Sequence, residues 1–199
     1  MVDQPDLWPI DVPVEQRGGP YFSELMAADR LLQERLCAAN APDEVTAKAA
    51  RLLAEAADLL APYDGGPLGA IVGTRLDLPG RGHPFLPEFV IDEWSDTRVR
   101  GRVTFGRIFD SGGGAGHGGA LPVLFVEILG RLANSNRTNA RTAYMHTDFR
   151  SSTPIGRELS FEAHLQSIDG RKRLVTGRLT DADVLVGEAE GLFVEPRRP

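Results

Sequence analysis

A chain of 199 residues, 42% hydrophobic and 25% charged, can bury one sizeable core, which excludes a wholly disordered, collagen-like or coiled-coil protein. Its 22 Lys+Arg against 28 Asp+Glu leave a formal net charge of -6, which argues against nucleic-acid binding by phosphate neutralisation. The single cysteine, Cys37, excludes an internal disulfide and a thiolate-clustered metal site.

Residues 1–20 carry four prolines, paired glycines and no periodicity, and read as an irregular arm. Asp3, Asp6 and two prolines stand where a signal peptide would need a basic then apolar run, and the longest apolar stretch, residues 120–126, is too short for a bilayer. The expected setting is the cytoplasm, with no membrane and no nucleic-acid partner. Helical spacing follows over 23–40 and 43–61, clearest in Val45, Ala49, Leu52, Leu53, Ala56, Leu59 and Leu60. Asn40-Ala41-Pro42-Asp43 breaks the two helices and Pro62 ends the second, so residues 21–63 are expected to form a helical hairpin packed on the core.

A Gly/Pro-rich connector over 64–87 opens the main domain, 64–199. Val99, Val103, Phe105 and Phe109 suggest a strand. Residues 116–132 are apolar apart from Glu127 and Arg131, as in a buried helix. Another strand opens at Arg141. Leu159, Phe161, Ala163 and Leu165 then alternate with Glu158, Ser160, Glu162 and His164, giving a strand with one wet face. Asp169-Gly170 turns the chain into 171–180, and Asp181-Ala182-Asp183 turns it into 184–194. Four strands joined by short turns cannot be parallel, because no crossover helices remain after residue 132. The fold class is α+β: an antiparallel sheet wrapped round a central helix, preceded by the hairpin.

The glycine-rich segment 111–119 lies between a strand and the buried helix. Gly114, Gly116 and Gly119 satisfy G-x-G-x-x-G, but an antiparallel meander follows and Asn139 and Ala140 stand where an acid is needed, which opposes dinucleotide binding. A helix N-terminus offers unpaired amides, so Gly118 and Gly119 suit a developing oxyanion. The same glycines also suit a loop that merely opens a helix, and spacing does not separate the two.

Gly116-His117-Gly118-Gly119-Ala120 before an apolar helix, Arg141-Thr142-Ala143 opening a strand and Pro154-Ile155-Gly156 before the next resemble the hotdog-fold acyl-CoA thioesterases of the PaaI-like branch. The Asp169-Gly170-Arg171-Lys172 turn and the closing strand Gly187-Glu188-Ala189-Glu190-Gly191-Leu192-Phe193 also fit. The resemblance implies that Gly118 and Gly119 polarise a thioester carbonyl, that Thr142 positions water or a carboxylate, and that His117 has a positioning role at the turn. It also implies a carboxylate nine positions after the histidine. Val126 stands there, and valine can neither accept a proton nor attack. Glu127 is the nearest acid, about 100° round the helix. It is either a displaced catalytic carboxylate or a structural partner of an arginine such as Arg131.

Nine helical residues span roughly 14 Å, too far for the turn and position 126 to meet on one carbonyl within one chain. A homodimer is therefore expected, or two dimers paired as a tetramer, each site taking the turn from one subunit and 126–127 with Thr142 from the other. Gly116 and Val126 join the substrate-facing set, with Arg150, Arg171 and Lys172 as candidates for the phosphates of coenzyme A. No metal and no cofactor are expected. The expected activity is hydrolysis of an acyl-CoA or acyl-carrier thioester in lipid metabolism, slowed by Val126. The alternative is a non-catalytic acyl-thioester binding protein. A hydratase or dehydratase would need an Asp and His pair at a spacing this sequence lacks. The hairpin suits a lid over the acyl channel as well as simple packing.

Overall fold

Period-2 and period-3.6 patterns occupy separate stretches of this chain, and the computed structural model, which describes residues 4–6 and 12–197, follows that division. Two helices come first, α1 (Phe22–Ala38) and α2 (Asp43–Leu60), then one helical turn, α3 (Gly66–Gly69). Strands β1 (Glu88–Trp94) and β2 (Arg98–Thr104) precede the central helix α4 (Ala120–Asn134). After it come β3 (Arg141–Phe149), β4 (Glu158–Asp169), β5 (Lys172–Asp181) and β6 (Val184–Val194). Neighbouring strands pair antiparallel in the order β1-β2-β4-β5-β6-β3. Among the described residues no helix is long and apolar enough to cross a membrane.

The sheet curls round α4 because each side supplies an apolar face to the other. Val99, Val103, Leu159 and Val175 from the strands are buried with Leu121, Leu124, Phe125, Ile128 and Leu132 from the helix. Each fully buried leucine contributes about 2 kcal/mol. Two glycines set how closely the helix lies on the sheet. A Cβ on Gly177 would stand 3.0 Å from Leu129, and one on Gly187 would stand 2.4 Å from Leu121. The helix ends where Asn136 turns left-handed (φ 50°) and Asn134 ties back to Ala140, accepting its amide at 2.7 Å.

The strand expected over 99–109 stops at Thr104. Gly106 leads into a 3-10 turn, Arg107–Phe109, from which Phe109 packs edge-on against Phe105 at 5.6 Å between ring centres. β1 is an additional edge strand that the pattern left unassigned, with Phe89 and Ile91 pointing inward.

The helical pair also differs from expectation. α1 docks by burying Phe22, by donating from Arg30 to the carbonyls of Leu86 (3.1 Å) and His83 (3.2 Å), and by accepting the Arg107 amide on Glu34 at 2.6 Å. Every residue of α2 is exposed. The pair is thus not packed on the core as a unit, because α4 already covers the apolar face of the sheet. Of the arm, residues 1–3 and 7–11 lie outside the described residues. Arg17 is buried and donates to the Thr74 carbonyl at 2.9 Å.

Candidate active site

The loop before α4 is built from backbone conformations that favour glycine. Gly112, Gly113 and Gly114 are left-handed in succession (φ 107°, 76° and 80°). Its second half is pinned: the Gly116 amide donates to the Thr153 carbonyl at 2.7 Å and the His117 amide to the Phe109 carbonyl at 2.6 Å. A Cβ on Gly116 would meet Thr153 at 3.0 Å, so this glycine permits packing of loop against loop.

At the helix start, the Gly119 amide donates to His117 Nδ1 at 3.0 Å. Acceptance at Nδ1 places the proton of the neutral ring on Nε2, which makes the exposed edge of His117 a donor. The Gly118 amide has no acceptor among the described residues, and the space above its Cα is open. Of the two amides expected to face a ligand, that of exposed Gly118 is without an acceptor among the described residues and that of Gly119 is already engaged.

Val126, on the exposed side of α4, is 41% exposed although the helix is otherwise largely buried. Glu127, one residue on, faces elsewhere. Its Oε1 accepts from Arg81 Nε at 2.6 Å and its Oε2 from Arg81 Nη2 at 2.9 Å, a two-pronged pair whose side chains are only 12% and 11% exposed. Arg131, the expected i+4 partner, lies 3.9 Å away through Nε, beyond hydrogen-bond range. Arg81 comes from a left-handed turn, with φ of 57°, 59° and 62° at Gly80, Arg81 and Gly82. The glycines flanking Arg81 were the sequence signal for that turn, though nothing local pointed across 46 positions to Glu127.

The remaining candidates divide between the two ends of α4. Arg150 sits at the loop end, its amide on the Val186 carbonyl at 2.9 Å and its guanidinium on Glu188 at 2.7 Å. Thr142 is at the other end: it is exposed on the edge strand β3, beside a bulge, and opposite Phe193, which packs near Gly130. Arg171 and Lys172 lie at that end too, at the β4–β5 turn, where Arg171 donates to the Glu195 carbonyl. Within one chain the His-Gly-Gly turn is therefore separated from Thr142, Arg171 and Lys172 by the length of the helix. A separate concavity of about 640 Å³ lies on the outer face of the sheet and includes none of these residues; its arginines face acids, as in Arg102 with Asp92 at 2.9 Å.

A thioesterase superfamily protein of known structure superposes on this chain with a TM-score of 0.72 at 23% identity, covering 94% of this chain and 93% of its own. The chain has the hotdog fold. That coverage takes in part of the α1–α2 pair as well, since those helices hold more residues than the uncovered remainder. A hypothetical thioesterase from Streptococcus pneumoniae, solved with coenzyme A, matches at 18% identity and a TM-score of 0.51 over 56% of this chain and 88% of its own. A Streptococcus mutans protein bound to acetyl-CoA matches at 19% and 0.51, over 56% and 91%. No family model and no curated protein sequence matches the chain. In hotdog terms, the central helix is α4, and β3 is the edge strand at the opposite side of the sheet from β1.

Proposed function

We propose that two copies of this hotdog chain pair in the cytoplasm to bind an acyl-CoA or acyl-carrier thioester and hydrolyse it slowly. The observation that carries this reading is the Gly118 amide at the start of the helix, at an exposed residue, without an acceptor among the described residues and a helix length from Thr142. A two-fold partner running antiparallel brings the loop end of one α4 to the Thr142 end of the other. The exposed β3 edge and the exposed Val126 support the same pairing.

In the proposed step the thioester carbonyl oxygen accepts from the Gly118 N–H and from His117 Nε2–H. Water adds to the carbonyl carbon, the C–S bond breaks, and the proton lost by water ends on the departing sulfur, giving a free acid and a thiol. Thr142 of the second chain orients the water. Glu127 is a structural group in this reading, because both its oxygens are held by Arg81. Val126 leaves the water without a general base, which costs about 10²–10⁴-fold in rate. The pneumococcal neighbour has also been crystallised as an Asp→Ala and as a Thr→Ala variant at positions sixteen residues apart. Val126 and Thr142 have the same separation.

Val126 favours a second reading, a non-catalytic acyl-thioester binder on the same scaffold. Free-thiol release from short, long and aromatic acyl-CoAs separates the two, run with the natural protein, Val126→Asp and Glu127→Gln. Slow release that rises in Val126→Asp and survives in Glu127→Gln supports the thioesterase reading. No release by the natural protein with a gain in Val126→Asp supports the binder. Release abolished by Glu127→Gln in a folded protein overturns the structural role of Glu127.

A further inference from the structure

Apart from the thioester site, a cavity of about 300 Å³ lies between β1 and the segment that carries Arg81. Leu76, Leu78, Pro79, Phe89 and Ile91 give it hydrocarbon walls, and Arg131 lines it from the last turns of α4. The Arg131 side chain is 5% exposed, and among the described residues its Nε and Nη1 have no hydrogen-bond partner. Nη2 donates to Gln4 Oε1 at 3.1 Å, and the guanidinium carbon lies 5.1 Å above the Trp94 ring. The neighbouring acids hydrogen-bond to other arginines: Asp6 to Arg17, Asp77 to Arg75 at 2.7 and 2.8 Å, and Glu127 to Arg81, with Glu127 standing 3.9 Å from Arg131 Nε, too far for a hydrogen bond. Burial pulls Arg131 down to about 10, so its charged form is held in the fold at a cost.

We infer that Arg131 and this cavity form a binding site for a small monocarboxylate with a hydrocarbon body. One under-satisfied cation matches one negative charge. Arg81 also lines the cavity but is already paired with Glu127, and Asp77 is a third charged group in the wall, so a phosphate dianion would bring a second negative charge beside an acid. The cavity volume is at the small end of ligand pockets, which suits a short-chain or single-ring acid. The carboxylate accepts from one uncommitted nitrogen of Arg131, Nε or Nη1, while the tail lies against Leu78, Phe89 and Ile91. The site does not depend on the thioester reading.

Calorimetric titration of the full chain tests this with hexanoate, phenylacetate and the neutral hexanamide at constant ionic strength. Saturable binding of one acid per chain is expected, with hexanamide at least about tenfold weaker and the acid about 10- to 100-fold weaker on Arg131→Gln, the range set by a hydrogen bond to a charged group. Leu78→Trp, which fills the cavity and leaves Arg131 in place, is expected to abolish binding and serves if Arg131→Gln does not fold. Coenzyme A added first is expected to leave the titration unchanged. Absence of binding by both acids, equal affinity for hexanamide, retention in either variant, or competition by coenzyme A would each overturn the inference; competition would assign the acid to the thioester site.

Discussion

Replacing Glu127 by Gln keeps the shape of the side chain and removes its charge, leaving the guanidiniums of Arg81 and Arg131 both facing a neutral amide. Removing one partner of a buried ion pair costs about 3–5 kcal/mol. The Arg81 and Glu127 side chains keep 11% and 12% exposure, so the lower end applies, about 3 kcal/mol. For a chain of this length that lowers Tm by roughly 6–12 °C. Arg81→Met should cost less than Glu127→Gln, since it leaves Glu127 with Arg131 still nearby. The double variant should fall well short of the sum, with a coupling of about 2 kcal/mol across the cycle. Urea denaturation of the four proteins measures it. Additive single effects, or a Glu127→Gln protein of natural stability that has lost thiol release, would refute the structural assignment of Glu127.

Three further outcomes are expected. Gly187→Val places a branched side chain where a Cβ already meets Leu121 at 2.4 Å, and should cost about 1–3 kcal/mol in a denaturation curve; an unchanged midpoint would show that α4 does not lie this close to the sheet. Hydrogen bonding from Arg75 holds the Asp77 carboxyl below its ordinary 3.8, so its stabilisation is complete above about that pH and is lost as pH falls through the lower folded value. A plot of Tm against pH should therefore have a shallower acid limb in Asp77→Asn, and superposable limbs would contradict this. Limited proteolysis should cut within or beside α2 before any strand, because no α2 residue is buried; first cuts in β4 or β5 would contradict the exposure.

Much of the fold was legible because its signals are local. α4 announces itself as an apolar run too long for a strand, and β4 alternates cleanly from Glu158 to Leu165. β1 was missed because outward Val90 sits between inward Phe89 and Ile91, which hides the alternation, and because the preceding connector is full of glycine and proline. Phe109 looked like a continuation of β2 because it reaches the same core from a 3-10 turn. The stripe on α2 was correctly read as a helix face, but periodicity says only that a face is apolar, not what covers it. In the candidate site the His-Gly-Gly turn and Val126 were legible. The Arg81–Glu127 pair was not, since it joins a left-handed turn to a helix across the chain.

The central claim is that one thioester site takes its amide from one chain and position 126 from another, and mixed dimers test it most directly. One chain carries Val126→Asp together with Gly118→Trp, which puts a bulky side chain over its own amide; the other is the natural chain. Each homodimer alone should be inactive or slow. After the two are unfolded and refolded together, one site in each mixed dimer joins a free Gly118 amide to an aspartate from the other chain, and thiol release should rise well above that of either parent. Release no greater than the average of the two parents would contradict a site shared between chains.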